Sequence, residues 1–295
     1  MNVLTIIISY QFMRWADKCL SSMQASQYHT DLLVIDNGSK DETVAYIRQH
    51  YPDVKVIENG RNLGFGKANN IGIHYAMKQG YDSVLLLNQD AWLNTDTLGK
   101  LVETAENHPE YGIVSPVHLT GKGDQIEKGF SIYTKLEDME HLPEQSIVEV
   151  PFINAAIWLV SIATLRKTGL FAPLFYHYGE DKDLANRMTY YHYKTGYVPA
   201  AIGYHDRECR EESRERIRWS EYVFHLSEYA NINHSWVMAF AKGVLAMGKK
   251  AFSSIVHGKM RAAAWYAGKA CVLIFKSSTV TKARRMSKHV DLKNY

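Results

Sequence analysis

The sequence predicts an α/β protein built on a mostly parallel sheet flanked by helices, followed by a basic helical C-terminal extension. Three observations support this reading. Over the first 118 residues, short β-branched apolar runs alternate with stretches of helical periodicity, as strands buried on both faces and joined by crossover helices do. Clusters of Asp, Asn, Ser and Gly follow those runs, where open sheets take their ligands. The charge also divides: Val237–Tyr295 holds twelve lysines and arginines against one acid, Asp291, while the preceding 236 residues hold 22 basic and 30 acidic side chains.

The elements follow in order. Val3–Ile8 is a continuous apolar strand, and Ala16, Cys19, Leu20 and Met23 then recur at helical spacing. Leu32–Ile35 is a second strand. Ser39 with Glu42 three residues on predicts a capping box that opens a helix burying Val44 and Ile47. Val54–Ile57 is the third strand, with a helix from about Gly66 to Gln79, and Ser83–Leu87 the fourth. Thr97–Asn107 is helical and Ile113–Val117 is the fifth strand. Periodicity lapses from Thr120 to Glu149, which reads as loops and short strands. Ala155–Val160 fits a strand or a short helix equally well. Glu180–Tyr191 reads as a helix, Tyr197–Ile202 as a strand, and the chain beyond Ser220 as mainly helical.

Composition narrows the class. With 46% apolar and 22% charged residues the chain is globular, neither disordered nor fibrous. Three distant cysteines, Cys19, Cys209 and Cys271, exclude a disulfide scaffold and the usual zinc modules and fit a reducing compartment. Met1–Ser9 carries no charged side chain, which argues against a signal peptide. The apolar stretches Trp236–Gly248 and Ala262–Phe275 are each interrupted by a lysine and fall short of the roughly 20 apolar residues a bilayer requires.

The chemistry is expected at the carboxyl ends of the strands. Ser9-Tyr10 follows the first, Asp36-Asn37-Gly38-Ser39 the second, Asn59-Gly60-Arg61-Asn62 the third and Asn88-Gln89-Asp90 the fourth. Such a set implies a polar ligand, although Asp36 and Asn37 could also merely shape a turn. Gly64-Phe-Gly66 resembles the start of a dinucleotide turn, but Asn69 stands where that motif needs a small residue. A carboxylate such as Asp90 can hold Mg²⁺ or Mn²⁺ when a diphosphate completes the shell. Glu180, Asp181 and Asp183 sit together at a helix start, where acids favour the dipole and where one of them could serve as a general base. His205 follows a strand and could ligate a metal.

The segments IIISY, VIDNGSKDET, NGRNLGFGKANNIGI, LLLNQDAWL and YGEDKDLANR, with the late His205, occur here in an order and spacing that resemble family-2 glycosyltransferases. The resemblance is closest to the rhamnosyltransferase-like branch acting on bacterial surface polysaccharides, and covers about residues 1–225. It implies a GT-A fold and an inverting transfer from a nucleoside-diphosphate sugar, UDP- or dTDP-linked, to a saccharide or lipid-linked acceptor, assisted by Mn²⁺ or Mg²⁺. By motif position it implies that Ser9, Tyr10, Asp36, Asn37, Arg61, Asn62, Gly64, Asn88 and Asp90 bind nucleotide and that Asp90 and His205 hold the metal. Asp181 would be the catalytic base, with Glu180 beside it orienting the acceptor. Asn88 replaces the first Asp of the family's D-x-D signature, and Tyr222-Val223-Phe224-His225 stands where an aromatic–Arg–Asn cluster is usual.

On this reading residues 1–118 form the nucleotide half, 119–225 the acceptor half and 226–295 the extension. The extension's aromatics and cations suit an anionic membrane surface, so the protein is expected in the cytoplasm or peripheral on the inner face of the cytoplasmic membrane. The acidic sheet half argues against a nucleic-acid partner. An inactive nucleotide-sugar-binding protein and a nicotinamide enzyme are the alternatives.

Overall fold

The structure, a computed structural model, describes residues 1–207 and 213–295; Cys209 lies outside the described residues. Two compact units result. The first comprises residues 1–167 with 192–210, the second residues 168–191 with 211–295. The boundary expected at residue 225 falls inside a helix of the second unit.

In the first unit the chain alternates as β1 (Val3–Ser9), α1 (Ala16–Gln24), β2 (Asp31–Asp36), α2 (Thr43–His50), β3 (Lys55–Glu58), α3 (Phe65–Gln79) and β4 (Ser83–Asn88). A short β5 (Ala91–Leu93), α4 (Thr97–Asn107), β6 (Tyr111–Thr120), α5 (Lys128–Thr134), β7 (Val148–Glu149), β8 (Ile157–Ser161) and α6 (Ile162–Thr168) follow. The strands order as β3-β2-β1-β4-β8-β6-β9-β5, with β7 also pairing β9; α7 (Glu180–Tyr190) belongs to the second unit and β9 (Lys194–His205) returns to the first. β1 to β4 pair in parallel, as their unbroken apolar runs require. β8 runs antiparallel beside β4, so the undecided segment after Ala155 is a strand. β6 and β9 pair in parallel, while β5 and β7 lie antiparallel to β9.

Local chemistry departs from expectation at two places. Ser39 and Glu42 form no capping box. The Ser39 hydroxyl turns back to donate to Asp36 Oδ1, and α2 starts at Thr43, whose N–H and hydroxyl both reach Asp41 Oδ1. The close approach of α3 to β1 comes from Gly72 rather than from position 69: a Cβ there would stand 2.6 Å from Ile6 Cγ2. Asn69, buried, spends its amide on the Phe65 carbonyl at 3.0 Å inside the helix.

The second unit contains α7 and, after it, α8 (Arg214–Ala230), α9 (Trp236–Phe240), a π-helical turn (Ala241–Leu245), α10 (Ala246–Val256), α11 (Met260–Phe275) and α12 (Ser277–Lys288). A short 3₁₀ turn, Leu292–Asn294, ends the chain. Phe175, Tyr222, Leu226, Tyr229, Val244, Met247, Leu273 and Val280 pack into one core, so the C-terminal helices and α8 fold together. Arg284 is buried and donates to the carbonyls of Tyr229, Asn231 and His234, holding the connection between α8 and α9. Arg187, 1% exposed, donates from Nε to Asp183 at 2.9 Å and from its two terminal nitrogens to the carbonyls of Thr168 and Leu170 at 2.6 Å. Removing one partner of a buried pair strands the other charge. Arg187→Ala is therefore expected to cost about 3–5 kcal/mol, read as a lowered denaturant midpoint, with Asp183→Asn costing less.

Candidate functional site

The carboxyl ends of β1, β2 and β4 and the turn after β3 carry the predicted nucleotide residues. Asp36 ends β2 with its carboxylate buried. Oδ1 accepts from the hydroxyls of Ser9 at 3.0 Å and Ser39 at 2.5 Å; Oδ2 accepts from the N–H groups of Gly38 at 3.0 Å and Ser39 at 2.9 Å. A carboxylate has about four acceptor positions, so Asp36 shapes this loop with all of them. Asn37, also buried, ties β2 to the turn after β3: its Oδ1 accepts from Asn59 Nδ2 at 3.0 Å and Leu63 N–H at 3.3 Å, and its Nδ2 faces Asn62 Oδ1 and the Gly64 carbonyl at 3.4 Å. Gly38 lets the two loops touch. Its φ is +85°, and a Cβ would lie 2.7 Å from the Arg61 Cα.

Tyr10, Arg61 and Asn62 are left with exposed side chains, while Ser9 is fully buried. Gln89 grips Tyr10 from the end of β4, accepting from its N–H at 2.8 Å and donating to its carbonyl at 3.2 Å. Asn88 is fixed by its N–H on the Ala156 carbonyl at 2.8 Å.

Asp90 and His205 are brought together by the pairing of β5 with β9. Asp90 Oδ1 stands 3.4 Å from His205 Nε2, and the Asp90 carbonyl accepts from the Asp206 N–H at 2.8 Å. Two ligands at about 2.1 Å from one ion lie about 3.0–3.4 Å apart, so the pair fits a divalent cation. Arg207 Nε donates to the same His205 nitrogen at 3.4 Å; that nitrogen has one lone pair, so an ion held there with Asp90 takes the place of this long hydrogen bond. Trp15 Nε1 and Arg14 hold Asp206 at 2.9 and 3.6 Å and steady the turn after β9.

Behind His205 lies a group the sequence did not reveal. One nitrogen each of His118 and His205 and a Glu127 carboxylate oxygen fall within 4.8 Å of one another, all three residues buried. His118 Nε2 faces Ser115 Oγ at 2.9 Å, and Glu127 Oε2 accepts the Phe130 N–H at 2.8 Å as cap of α5. The Nδ1 atoms of both histidines lack hydrogen-bond partners. Burial, with the nearby His205 and Arg207, holds His118 well below the usual histidine range and keeps it neutral. A histidine that ligates a metal through one nitrogen donates its other N–H to a neighbouring carboxylate or carbonyl. Glu127 lies close by, but its Oε1 faces Arg207 at 3.6 Å and no hydrogen bond joins it to either Nδ1.

In the second unit the three carboxylates of α7 part company. Asp183 is committed to Arg187. Glu180 is buried, and desolvation first, then the charge of Asp181, pushes it up to about 8; its Oε2 has no partner. Asp181 is only half-buried, with Oδ1 accepting the Lys182 N–H at 2.7 Å. Burial also lowers Lys182.

A family model described as glycosyl transferase family 2 matches residues 5–153, half of the chain. The chain belongs to glycosyltransferase family 2. It is 25% identical over 166 residues to the low-salt glycan biosynthesis hexosyltransferase Agl10 of Haloferax volcanii, covering 53% of this chain and 52% of that protein. It is 24% identical over 220 residues to the N-acetylglucosaminyl-diphospho-decaprenol L-rhamnosyltransferase of Mycobacterium tuberculosis, covering 65% and 71%. The chain thus spans about half the length of the first of these relatives. The mannosyltransferase PcManGT of Pyrobaculum calidifontis, solved with GDP-Man and Mn²⁺, superposes with a TM-score of 0.62 at 17% identity over 99% of this chain and 86% of that one. The fold of this family-2 member is GT-A, as the motifs implied.

Two outcomes are expected. Glu127→Gln removes the counter-charge 3.6 Å from Arg207, which lies against His205, and weakens Mn²⁺ binding, measured by the loss of free-Mn²⁺ paramagnetic resonance signal. The raised Glu180 carboxyl makes the folded state hold a proton that the unfolded chain releases near its ordinary 4.5, so stability falls as pH rises from about 4.5 to 8 and levels off above. Glu180→Gln removes that fall: its melting temperature should match wild type near pH 4.5 and exceed it at pH 8, by about 2–4 °C for each kcal/mol recovered.

Proposed function

We propose that this protein transfers a sugar, with inversion, from a UDP- or dTDP-sugar to a hydroxyl of a saccharide or lipid-linked acceptor during synthesis of a bacterial surface glycan. The observation that carries the reading is the Asp90–His205 pair at the carboxyl end of a family-2 sheet, supported by a relative whose name describes rhamnosyl transfer to a polyprenyl diphosphate-linked sugar. Agl10, named a glycan biosynthesis hexosyltransferase, points the same way.

The roles follow from chemistry. Tyr10, Arg61 and Asn62, exposed on loops that Asp36 and Asn37 hold rigid, take the nucleoside. Ser9 and Asp36 act through loop shape, and Gly64 by opening α3 with a positive φ. Asn88 contacts the ribose. Asp90 and His205 hold Mn²⁺ or Mg²⁺, which when bound offsets the charge gathering on the departing diphosphate. Asp181 takes the proton of the attacking hydroxyl. Glu180, kept protonated by burial, donates a hydrogen bond to the acceptor, so two neighbouring carboxyls carry different roles. Direct displacement with a single base needs no covalent sugar–enzyme intermediate. The basic extension meets an anionic membrane surface, placing the protein at the inner face of the cytoplasmic membrane, and no nucleic acid takes part.

Thermal shift with UDP, GDP, dTDP, CMP and NAD, each with and without Mn²⁺, tests the donor class. A metal-dependent rise with one nucleoside diphosphate supports the reading; a rise with NAD alone contradicts it. Asp181→Asn is expected to lower transfer by at least about 10²-fold while leaving that nucleotide shift unchanged. Undiminished turnover in the variant would remove Asp181 from the base role. Nucleotide binding without turnover by the wild type toward any polyprenyl-linked or free saccharide acceptor would favour the binding-protein alternative that Asn88 suggests.

A further inference from the structure

The cations of the C-terminal helices point in different directions. Lys250 pairs with Glu221, Lys269 lies over the rings of Trp219, Tyr222 and Trp265, and Arg284 is buried. Lys249, Lys259 and Arg261 are exposed, Lys249 in the first turn of α10 and Lys259 and Arg261 where α11 begins.

Between them lies an apolar face. On α11, Ala263 and Leu273 are buried in the core, whereas Met260, Ala264, Ala267, Cys271 and Phe275 recur at helical spacing on the outer side and are all exposed. None is charged. Met260 is 63% and Phe275 86% exposed. On α10, Met247 and Ala251 face inward, and Phe252 and Val256 face outward, 69% and 67% exposed, continuing a row that starts at the exposed Leu245 of the preceding π-helical turn. Only Lys249 interrupts that outer row. Scattered exposed apolar residues are ordinary, but a continuous face rimmed by polar groups marks an interaction surface.

We infer that the outer face of the α10–α11 hairpin lies in the interfacial layer of an anionic bilayer, Phe252, Val256, Met260 and Phe275 entering the acyl boundary and Lys249, Lys259 and Arg261 meeting lipid phosphates. This rests on the membrane-facing reading of the extension and assigns it to one hairpin. Charge decides the occupant. Pairing two copies through this face would bring two chains' worth of a +11 segment together, and like charges oppose association; a negative leaflet rewards each cation instead. Among the described residues no helix is long and apolar enough to cross a membrane, so the hairpin lies along the surface.

The test is sedimentation of the full chain with vesicles of phosphatidylglycerol and phosphatidylcholine, and with phosphatidylcholine alone. Wild type is expected to partition to the anionic vesicles, more strongly at low salt. Phe252→Ser/Phe275→Ser, at exposed positions that leave the core intact, should lower the partition coefficient at least tenfold, and Lys249→Gln/Lys259→Gln/Arg261→Gln should abolish the preference for phosphatidylglycerol. Both variants should keep the wild-type melting temperature and nucleotide shift. Wild type that binds no vesicle overturns the membrane reading as a whole. Wild type that binds while the phenylalanine variant binds equally overturns the hairpin assignment alone. A dimer in light scattering that this variant dissociates, with vesicle binding unaltered, would assign the face to a second copy instead. Donor binding involves none of these side chains, so its failure is read separately in the nucleotide panel.

Discussion

The buried carboxylate of Asp36 is the constraint from which the ligand end of the sheet follows. Its two oxygens accept from Ser9, Gly38 and Ser39, so the end of β1, the end of β2 and the following loop share one anchor. A buried carboxylate lacking these donors would be costly to leave charged; with them it is satisfied and cannot be exchanged for an apolar group. Because the loop is fixed, Asn37 can reach across to Asn59 and Leu63, and Gly38 can lie against the Arg61 backbone. Exposed Arg61 and Tyr10 are thereby presented on backbone that has little freedom left, which lowers the entropy lost when a ligand is held.

The three acids of α7 show how position within one helical turn separates chemically similar groups. Asp183 is held by a fully buried guanidinium. Glu180 lies against the N-terminal turn with no counter-charge, so burial keeps it neutral. A neutral Glu180 spares Asp181 a neighbouring negative charge. The residue types alone could not divide the roles, because the division depends on which side of the helix α8 covers: Val223 and Ser227 close over Gly179 at the helix start.

The sheet was legible because a strand buried on both faces must be largely apolar, as Val84–Leu87 is throughout and Val3–Ile8 is but for Thr5, whose hydroxyl pairs with that of Thr30. The candidate site was read where a polar cluster interrupts such a run, hence the choice of Asp36, Asn88 and Asp90. What escaped depends on long-range pairing. His118 sits within a largely apolar strand and Glu127 in a stretch without periodicity; only the pairing of β6 with β9, which sets Thr120 opposite His205, brings them near that histidine. Strand β5 is too short to leave a pattern. The Ser39–Glu42 spacing misled because Asp36 competes for the same hydroxyl and wins. Asn69 was read as an obstacle to close helix packing, yet Gly72, one turn further on, supplies that contact.

Charge in the C-terminal helices carries the same lesson about counting. Twelve basic residues against one acid suggest a uniformly cationic appendage, yet these cations do different work. Arg284 is spent on the carbonyls of Tyr229, Asn231 and His234, and its guanidinium fork suits that role better than an ammonium would. Lys269 lies over a cluster of aromatic rings, and Lys250 offsets Glu221, a residue of α8. These cations are engaged within the fold. The cations that remain exposed around Met260 are few, and their force lies in placement beside an uncharged helix face rather than in number. Apolar burial and lipid attraction act together only when both face the same way, and the α10–α11 turn is where the sequence puts them side by side.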